Sequence, residues 1–138
     1  MADANLLDVA IVSAEHAIWS GQAKSVVAKT PEGDIGILAG HEPVLALLVD
    51  SSPLRIEEAD GTRRTVAVHG GFFSVARNTV NVIAEVAELA EDIDVARAQA
   101  ALSRIEADNV VEPGEQAALR RAETRISVAG VAKGISTR

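Results

Sequence analysis

Up to about residue 84, apolar positions alternate with small or polar ones, the two-residue period of a half-buried strand. Leu7, Val9 and Ile11 mark one face of a first strand over residues 5–12. The same pattern predicts strands at 23–29, 34–38, 44–49, 54–59, 65–69, 72–76 and 79–84. Turn signals separate them. Ser20-Gly21 is one, and Thr30-Pro31-Glu32-Gly33-Asp34 is a stronger one, because Pro presets φ and Gly permits positive φ. Asp60-Gly61 and Arg77-Asn78 read as hairpin turns. Gly70-Gly71 marks a bulge or a place where another backbone comes close. Eight to ten short strands, with turns every ~8–12 residues, imply an antiparallel β-sandwich or flattened barrel.

From Asp92 onward the β-branched residues thin out, and Ala, Glu and Arg take over as a helix prefers. Ala98, Ala101, Leu102 and Ile105 form an apolar stripe along a helix over 94–107; Leu119, Ala122 and Ile126 form another over 115–128. Residues 108–114 break the pattern, with Pro113-Gly114 as punctuation. The expected class is therefore α+β: a sandwich docking domain over 1–88 and an antiparallel two-helix hairpin over 89–138, joined through the acidic stretch 85–92. Both helices are near the ~12–15 residues at which isolated helices are marginal. Their apolar stripes are mostly Ala, so a weakly held hairpin is expected, with residues 130–138 frayed.

Composition narrows the function. Among 138 residues 48% are apolar and 24% charged, with mean hydropathy +0.17. Trp19, Phe72 and Phe73 are the only aromatics, so the core must rest on many modest aliphatic burials. A net charge of −7 argues against nucleic acid, which recruits clustered Lys and Arg. The acidity is uneven: residues 1–88 hold six basic and twelve acidic side chains, and 89–138 hold seven and eight. The near balance of the tail leaves its arginines free to act locally. Without cysteine there is no disulfide framework and no thiolate chemistry. The opening MADANLLDVAIV lacks the basic region and apolar run of a signal peptide. No apolar run approaches the ~20 residues of a membrane span, so a cytoplasmic protein without membrane insertion is expected.

Candidate chemistry is sparse in the first part. His16, His41 and His69 are isolated and read as surface histidines near turns, with no spacing that suits a metal. There is no nucleophile elbow and no phosphate-cradling loop, and neighbouring Glu57 and Glu58 point to opposite faces of a strand. An enzyme is not expected. The tail is different. At about 100° per residue, Asp94, Arg97 and Arg104 share one sector of the first helix, while Arg121 and Arg125 share a face of the second. Folded together, the helices would converge one carboxylate and up to four guanidiniums, whose planar forks suit a nucleoside triphosphate. An ordinary charged helix face, with Asp94 paired to Arg97, is the alternative.

Three stretches resemble a known family. PEGDIGILAGHEPVLALL (31–48) is similar to the EGxIGILPGHxPL segment of the epsilon subunits of bacterial F-type ATP synthases. VHGGFFSVARNTVNVIAEVAELAEDID (68–94) is similar to their GGFxEVxxNxVxVLAxxAE run and the IDxxRA that follows. LRRAETRISVA (119–129) resembles their tail helix. Ala39 departs from the pattern where many members carry Pro, and the tail beyond Gly130 shows no family pattern.

The resemblance implies a ten-strand sandwich, a helical hairpin and a place in the central rotor stalk. It implies binding to the gamma subunit and the c-ring, peripheral attachment at the cytoplasmic face of the bacterial membrane, and a non-catalytic, coupling and regulatory role. Glu32 and His41 would face the c-ring loops. Opened helices would reach the alpha/beta catalytic head, where Arg120, Arg121 and Arg125 would meet acidic patches and block hydrolysis. No cofactor is required, but some bacterial members bind ATP as a regulatory ligand on the folded hairpin. The matching positions are Glu88, Ile93, Asp94, Arg97, Ala98, Arg104, Arg121 and Arg125. The competing readings are a free nucleotide-sensing module and, with no site to support it, an ATP-hydrolysing enzyme.

Overall fold

The computed structural model describes residues 5–107 and 113–132. Nine strands come first: β1 (Leu7–Ser13), β2 (Ala17–Thr30), β3 (Gly33–Leu38), β4 (Val44–Leu47), β5 (Ser52–Glu58), β6 (Arg63–His69), β7 (Phe72–Ala76), β8 (Thr79–Ala84) and β9 (Val86–Leu89). A 3-10 turn (Ala90–Asp92) leads into α1 (Val95–Ala107) and α2 (Pro113–Ala132). The hydrogen-bonded order is β4-β7-β8-β1-β2-β5-β6-β9, with β3 on the free edge of β2. Every pairing is antiparallel except β1 with β8.

β2 makes the two layers one sheet. Its first half pairs with β1 from Ala17 to Ala23, and its second half pairs with β3 and β5. The sheet folds over along this strand, and the inward residues of both layers meet in one core. Leu7, Val9 and Ile11 point inward as the alternation predicts, opposite Val66 and Val68 of β6 and beside Val80 and Val82 of β8 in the same cluster. Phe73 is the one aromatic side chain fully enclosed there.

The structure departs from the sequence reading in four places. Ser20-Gly21 is not a turn, because β2 starts earlier, at Ala17. Gly21 pairs with Val9, and the Trp19 ring lies over it so closely that a Cβ would come within 2.8 Å of the ring. The glycine serves a close approach rather than a change of direction. β9 lies in the acidic stretch expected to be a joint, and it pairs with β6 from Val66↔Leu89 to His69↔Val86. The sheet thus runs one residue past residue 88, and its nine strands agree with the expected count of about ten. Finally, α2 continues past Gly130, because Val128 and Ala129 are buried against the sheet. Of the expected break at 108–114, Pro113-Gly114 instead open α2, since proline suits the first helical position, where its missing N–H costs nothing; residues 108–112 and the end at 133–138 fall outside the described residues.

β6 explains how helices attach to a sandwich. Val66, Ala67, Val68 and His69 are buried in succession, so this strand is covered on both faces. Val66 and Val68 enter the main core; Ala67 joins Ala90, Ile93, Val128 and Ala129 in a second, smaller cluster beneath α2. α1 packs on α2 through the expected stripes, with Ala98, Ile105 and Ala122 buried and Ala101, Leu102, Leu119 and Ile126 half-buried. Among the described residues no helix is long and apolar enough to cross a membrane.

Candidate functional site

The pairing of β6 with β9 sets Ala67 opposite Glu88 and His69 opposite Val86. His69 and Glu88 are thereby diagonal neighbours on the outer face, within side-chain reach. His69 Nε2 lies 3.1 Å from Glu88 Oε1, and its Nδ1 lies 2.9 Å from the Ser51 hydroxyl. The same Glu88 oxygen accepts from Arg125 Nε of α2 at 2.6 Å. An ionised carboxylate only accepts, so Nε2 carries the proton that His69 gives it. The bond from His69 holds the Glu88 carboxyl below its ordinary value; partial burial opposes this and the Arg125 guanidinium assists it. The site joins loop, β6, β9 and helix in one chain of polar contacts.

Beside it, α1, α2 and the 3-10 turn enclose a cleft of about 710 Å³, within the range of small-molecule sites. Glu88, Asp92 and Asp94 supply its carboxylates, and Arg97, Arg104, Arg121 and Arg125 its guanidiniums. Ala98, Ala101, Ala118 and Ala122 leave the space between the helices open. Asp94 does not pair with the Arg97 guanidinium. Its carboxylate accepts from the Arg97 backbone N–H at 3.0 Å, capping α1. As a result Arg97, Arg104 and Arg121 form no ion pair among the described residues. Three guanidiniums without an ion pair among the described residues thus border one cleft, a donor arrangement whose planar forks match phosphate geometry.

The sandwich offers a second feature. Leu47, Phe72, Ile83 and Val12 stand opposite one another across β4, β7, β8 and β1, forming a continuous outward row. Their exposures are 66, 37, 41 and 36%, and Leu45 adds a fifth apolar side chain at 70%. A contiguous row of this kind is unusual on a solvated face and marks an interaction surface.

Residues 6–90 match the family model for the ATP synthase Delta/Epsilon chain, beta-sandwich domain. A relative from Streptomyces avermitilis, named ATP synthase epsilon chain, is 45% identical over 120 residues, covering 87% of this chain and 92% of its own. The chain belongs to the ATP synthase epsilon-chain family. Two further epsilon chains are 52% identical over 97 residues (Rhodococcus jostii, 70% of this chain and 80% of that one) and 44% over 131 (Thermobifida fusca, 94% and 96%). Among solved structures, a chain of the Euglena gracilis mitochondrial ATP synthase OSCP/F1/c-ring assembly superposes with TM-score 0.68 at 21% identity, covering 97% of this chain and 82% of its own. A chain of the Tetrahymena thermophila mitochondrial ATP synthase central stalk and c-ring gives 0.57 at 15% identity, covering 91% and 95%. At these identities the likeness establishes the fold.

Of the eight hairpin positions singled out from this epsilon chain's sequence, the cleft gathers Glu88, Asp94, Arg97, Ala98, Arg104, Arg121 and Arg125. Ile93 does not line it. It is buried in the small cluster under α2 and fixes the entry to α1 instead. Glu32 and His41 are not brought together, since they flank opposite ends of β3, a strand about 20 Å long. Glu32 sits exposed on the β2–β3 turn, whose Pro31 lines a cavity with Leu47 and Gly71 near one end of the apolar row. His41 lies in the β3–β4 loop, whose Gly40 N–H donates to Asn78 at the far end.

Sequence reading missed Asp92 as a lining residue and misplaced His69, which is 4% exposed rather than a surface histidine. The signal for His69 was present. It closes the run Val66-Ala67-Val68, where alternation fails, and a strand without alternation is covered on both faces.

Proposed function

We propose that this chain is the non-catalytic regulatory and coupling subunit of a bacterial ATP synthase, at the cytoplasmic face of the membrane. Its sandwich links the gamma subunit to the c-ring through the apolar row and neighbouring turns, Glu32 meeting ring loops at one end of β3 and His41 a second contact at the other. Its helices are the regulatory element. Docked on β6, they hold ATP in the cleft; released, they extend toward the alpha/beta head and restrain hydrolysis with Arg120, Arg121 and Arg125.

The observation that carries this reading is the cleft with its three uncommitted arginines. Its carboxylate Glu88 belongs to the sheet, while its arginines belong to α1 and α2. A nucleotide bound there spans the fixed and the releasable parts, so it favours the docked state by its differential affinity for it. Phosphates would lie against Arg97, Arg104, Arg121 and Arg125; Glu88 and Asp94 offer acceptors to amino and hydroxyl groups of the nucleoside. The small contact under α2 keeps release within reach.

The test is ATP hydrolysis by the assembled synthase carrying either the full chain or one ending at Glu91. Faster hydrolysis with proton pumping still coupled would establish the helices as a brake and the sandwich as sufficient for coupling. Unchanged hydrolysis would refute the inhibitory role.

A further inference from the structure

The proposed nucleotide site includes a guanidinium, Arg125, whose position is set from below. Glu88 Oε1 accepts both from Arg125 Nε and from the His69 ring. His69 is buried between α2 and the core, and its second nitrogen is held by Ser51 at the start of the β5 approach. No buried side-chain polar atom among the described residues lacks a partner, so this chain of contacts is complete. Neither Ser51 nor His69 lines the cleft. Their hydrogen-bonded path to it runs through Glu88, and both line a neighbouring cavity that shares Arg121 with it.

We propose that Ser51 and His69 are positioning residues of the nucleotide cleft: they hold Glu88 oriented so that its carboxylate fixes Arg125. The inference rests on the nucleotide reading above. An oxygen that accepts from one donor can follow it as the carboxylate swings; Oε1, accepting from two, is pinned between them, and the guanidinium it holds is preorganised. The imidazole is suited to this because Nε2–H donates to Glu88 while Nδ1 accepts from the Ser51 hydroxyl, so the ring is fixed at both ends. Binding to the cleft is thereby linked to the sheet that α2 covers.

The experiment measures ATP binding by titration calorimetry for the full chain and for His69→Leu, His69→Gln and Ser51→Ala. The Arg125 Nε–H signal is followed by NMR. His69→Leu should weaken ATP by roughly tenfold and release the Arg125 signal to rapid exchange, a loss in keeping with one charge-assisted hydrogen bond. Gln keeps an N–H near Nε2, so His69→Gln should remain within about threefold of the parent; Ser51→Ala should fall between. In a Glu88→Gln background, His69→Leu should add less than about twofold, because the route through the carboxylate is already weakened.

If the full chain binds ATP and His69→Leu binds it equally well, or loses as much in the Glu88→Gln background, the positioning role is overturned while the nucleotide reading stands. If the full chain takes no ATP, the nucleotide reading falls and this inference with it. Should His69→Leu fail to fold, Ser51→Ala and His69→Gln decide, and affinity for Ser51→Ala equal to that of the parent overturns the proposal.

Discussion

Replacing Val128 with Ala tests how α2 is held on the sheet. Val128 is fully buried and packs with Ala67, Ala90, Ile93 and Ala129, a cluster separate from the sandwich core. Removing its two methyl groups forfeits about 0.8 kcal/mol each in transfer free energy, and the unfilled space raises the loss to about 2 kcal/mol. Little else holds the helix. The Arg125–Glu88 pair, at 2.6 Å and with side chains 31% and 25% exposed, contributes on the order of 2 kcal/mol. The Arg120–Asp50 pair, at 3.4 Å with side chains 49% and 79% exposed, adds at most about 1 kcal/mol. A loss of about 2 kcal/mol multiplies the undocked population roughly thirtyfold. Native-state amide exchange reads this directly, because most helical stability comes from tertiary packing and the amides of an undocked helix exchange more readily. Amides of α2 should lose protection in the variant, while those of Val9 in β1 and Val82 in β8 keep theirs. Equal loss in both regions would mean that helices and sandwich unfold as one unit, and the account of separable docking would be refuted.

Gly71→Ala should destabilise the sandwich itself by more than about 2 kcal/mol, visible as a lowered Tm: φ is +113° and a Cβ would collide with the Ile83 carbonyl oxygen. Phe72→Asp, in the exposed row, should leave the Tm of the isolated chain within a few degrees yet prevent its incorporation into the synthase, scored by co-purification; normal incorporation would remove that row from the docking surface. For pH dependence the group is Glu88, whose carboxyl is held below its ordinary 4.5, first by the His69 bond and then, against burial, by Arg125. A depressed carboxylate contributes stability that is present above its ordinary value and lost as pH falls through the lowered one. Urea unfolding of the parent and Glu88→Gln should therefore differ most near neutrality and converge in acid, once the pH has fallen below the lowered value; a gap that widens in acid would refute the assignment.

Most of the sheet was legible because the apolar period is two and the turns carry their own chemistry. β7 and β8 fall where alternation put them, joined by Arg77 and Asn78 with φ of 51° and 60°, the paired positive values of a tight hairpin turn. What escaped the sequence was tertiary in origin. Gly21 looks like a turn residue, and only the Trp19 ring above it shows why a strand needs glycine there. β9 is acidic, and it becomes a strand because the β6 edge is open to it and α2 covers the outer face. The cleft was legible through helical spacing, which aligned the arginines. Ile93 was carried into the site by its neighbours in the motif, although its side chain turns toward the apolar contact beneath α2. Asp92 escaped because it precedes the helix, in a 3-10 turn whose direction no helical period predicts.

β6 divides its residues so that the proposed release of α2 would leave the sandwich core closed. Its inner residues, Val66 and Val68, belong to a core closed by eight other strands, and that core does not need α2. Its outer residues are Ala67 and His69, one too small to expose much apolar area and the other polar with its own partners. When α2 leaves, β6 itself uncovers one methyl group and a histidine still tied to Ser51 and Glu88, and most of the apolar exposure falls on Ala90 and Ile93 of the linking turn. A Leu or Ile at position 67 would strengthen docking if it fitted, and would leave a sticky strip on the sheet after release. Alanine at 67 therefore suits a surface that works both covered and bare, and the specificity of docking falls to the ion pairs of Arg120 and Arg125. In the proposed mechanism, a ligand that engages those arginines would act on the helices without any change in the sandwich that carries the chain.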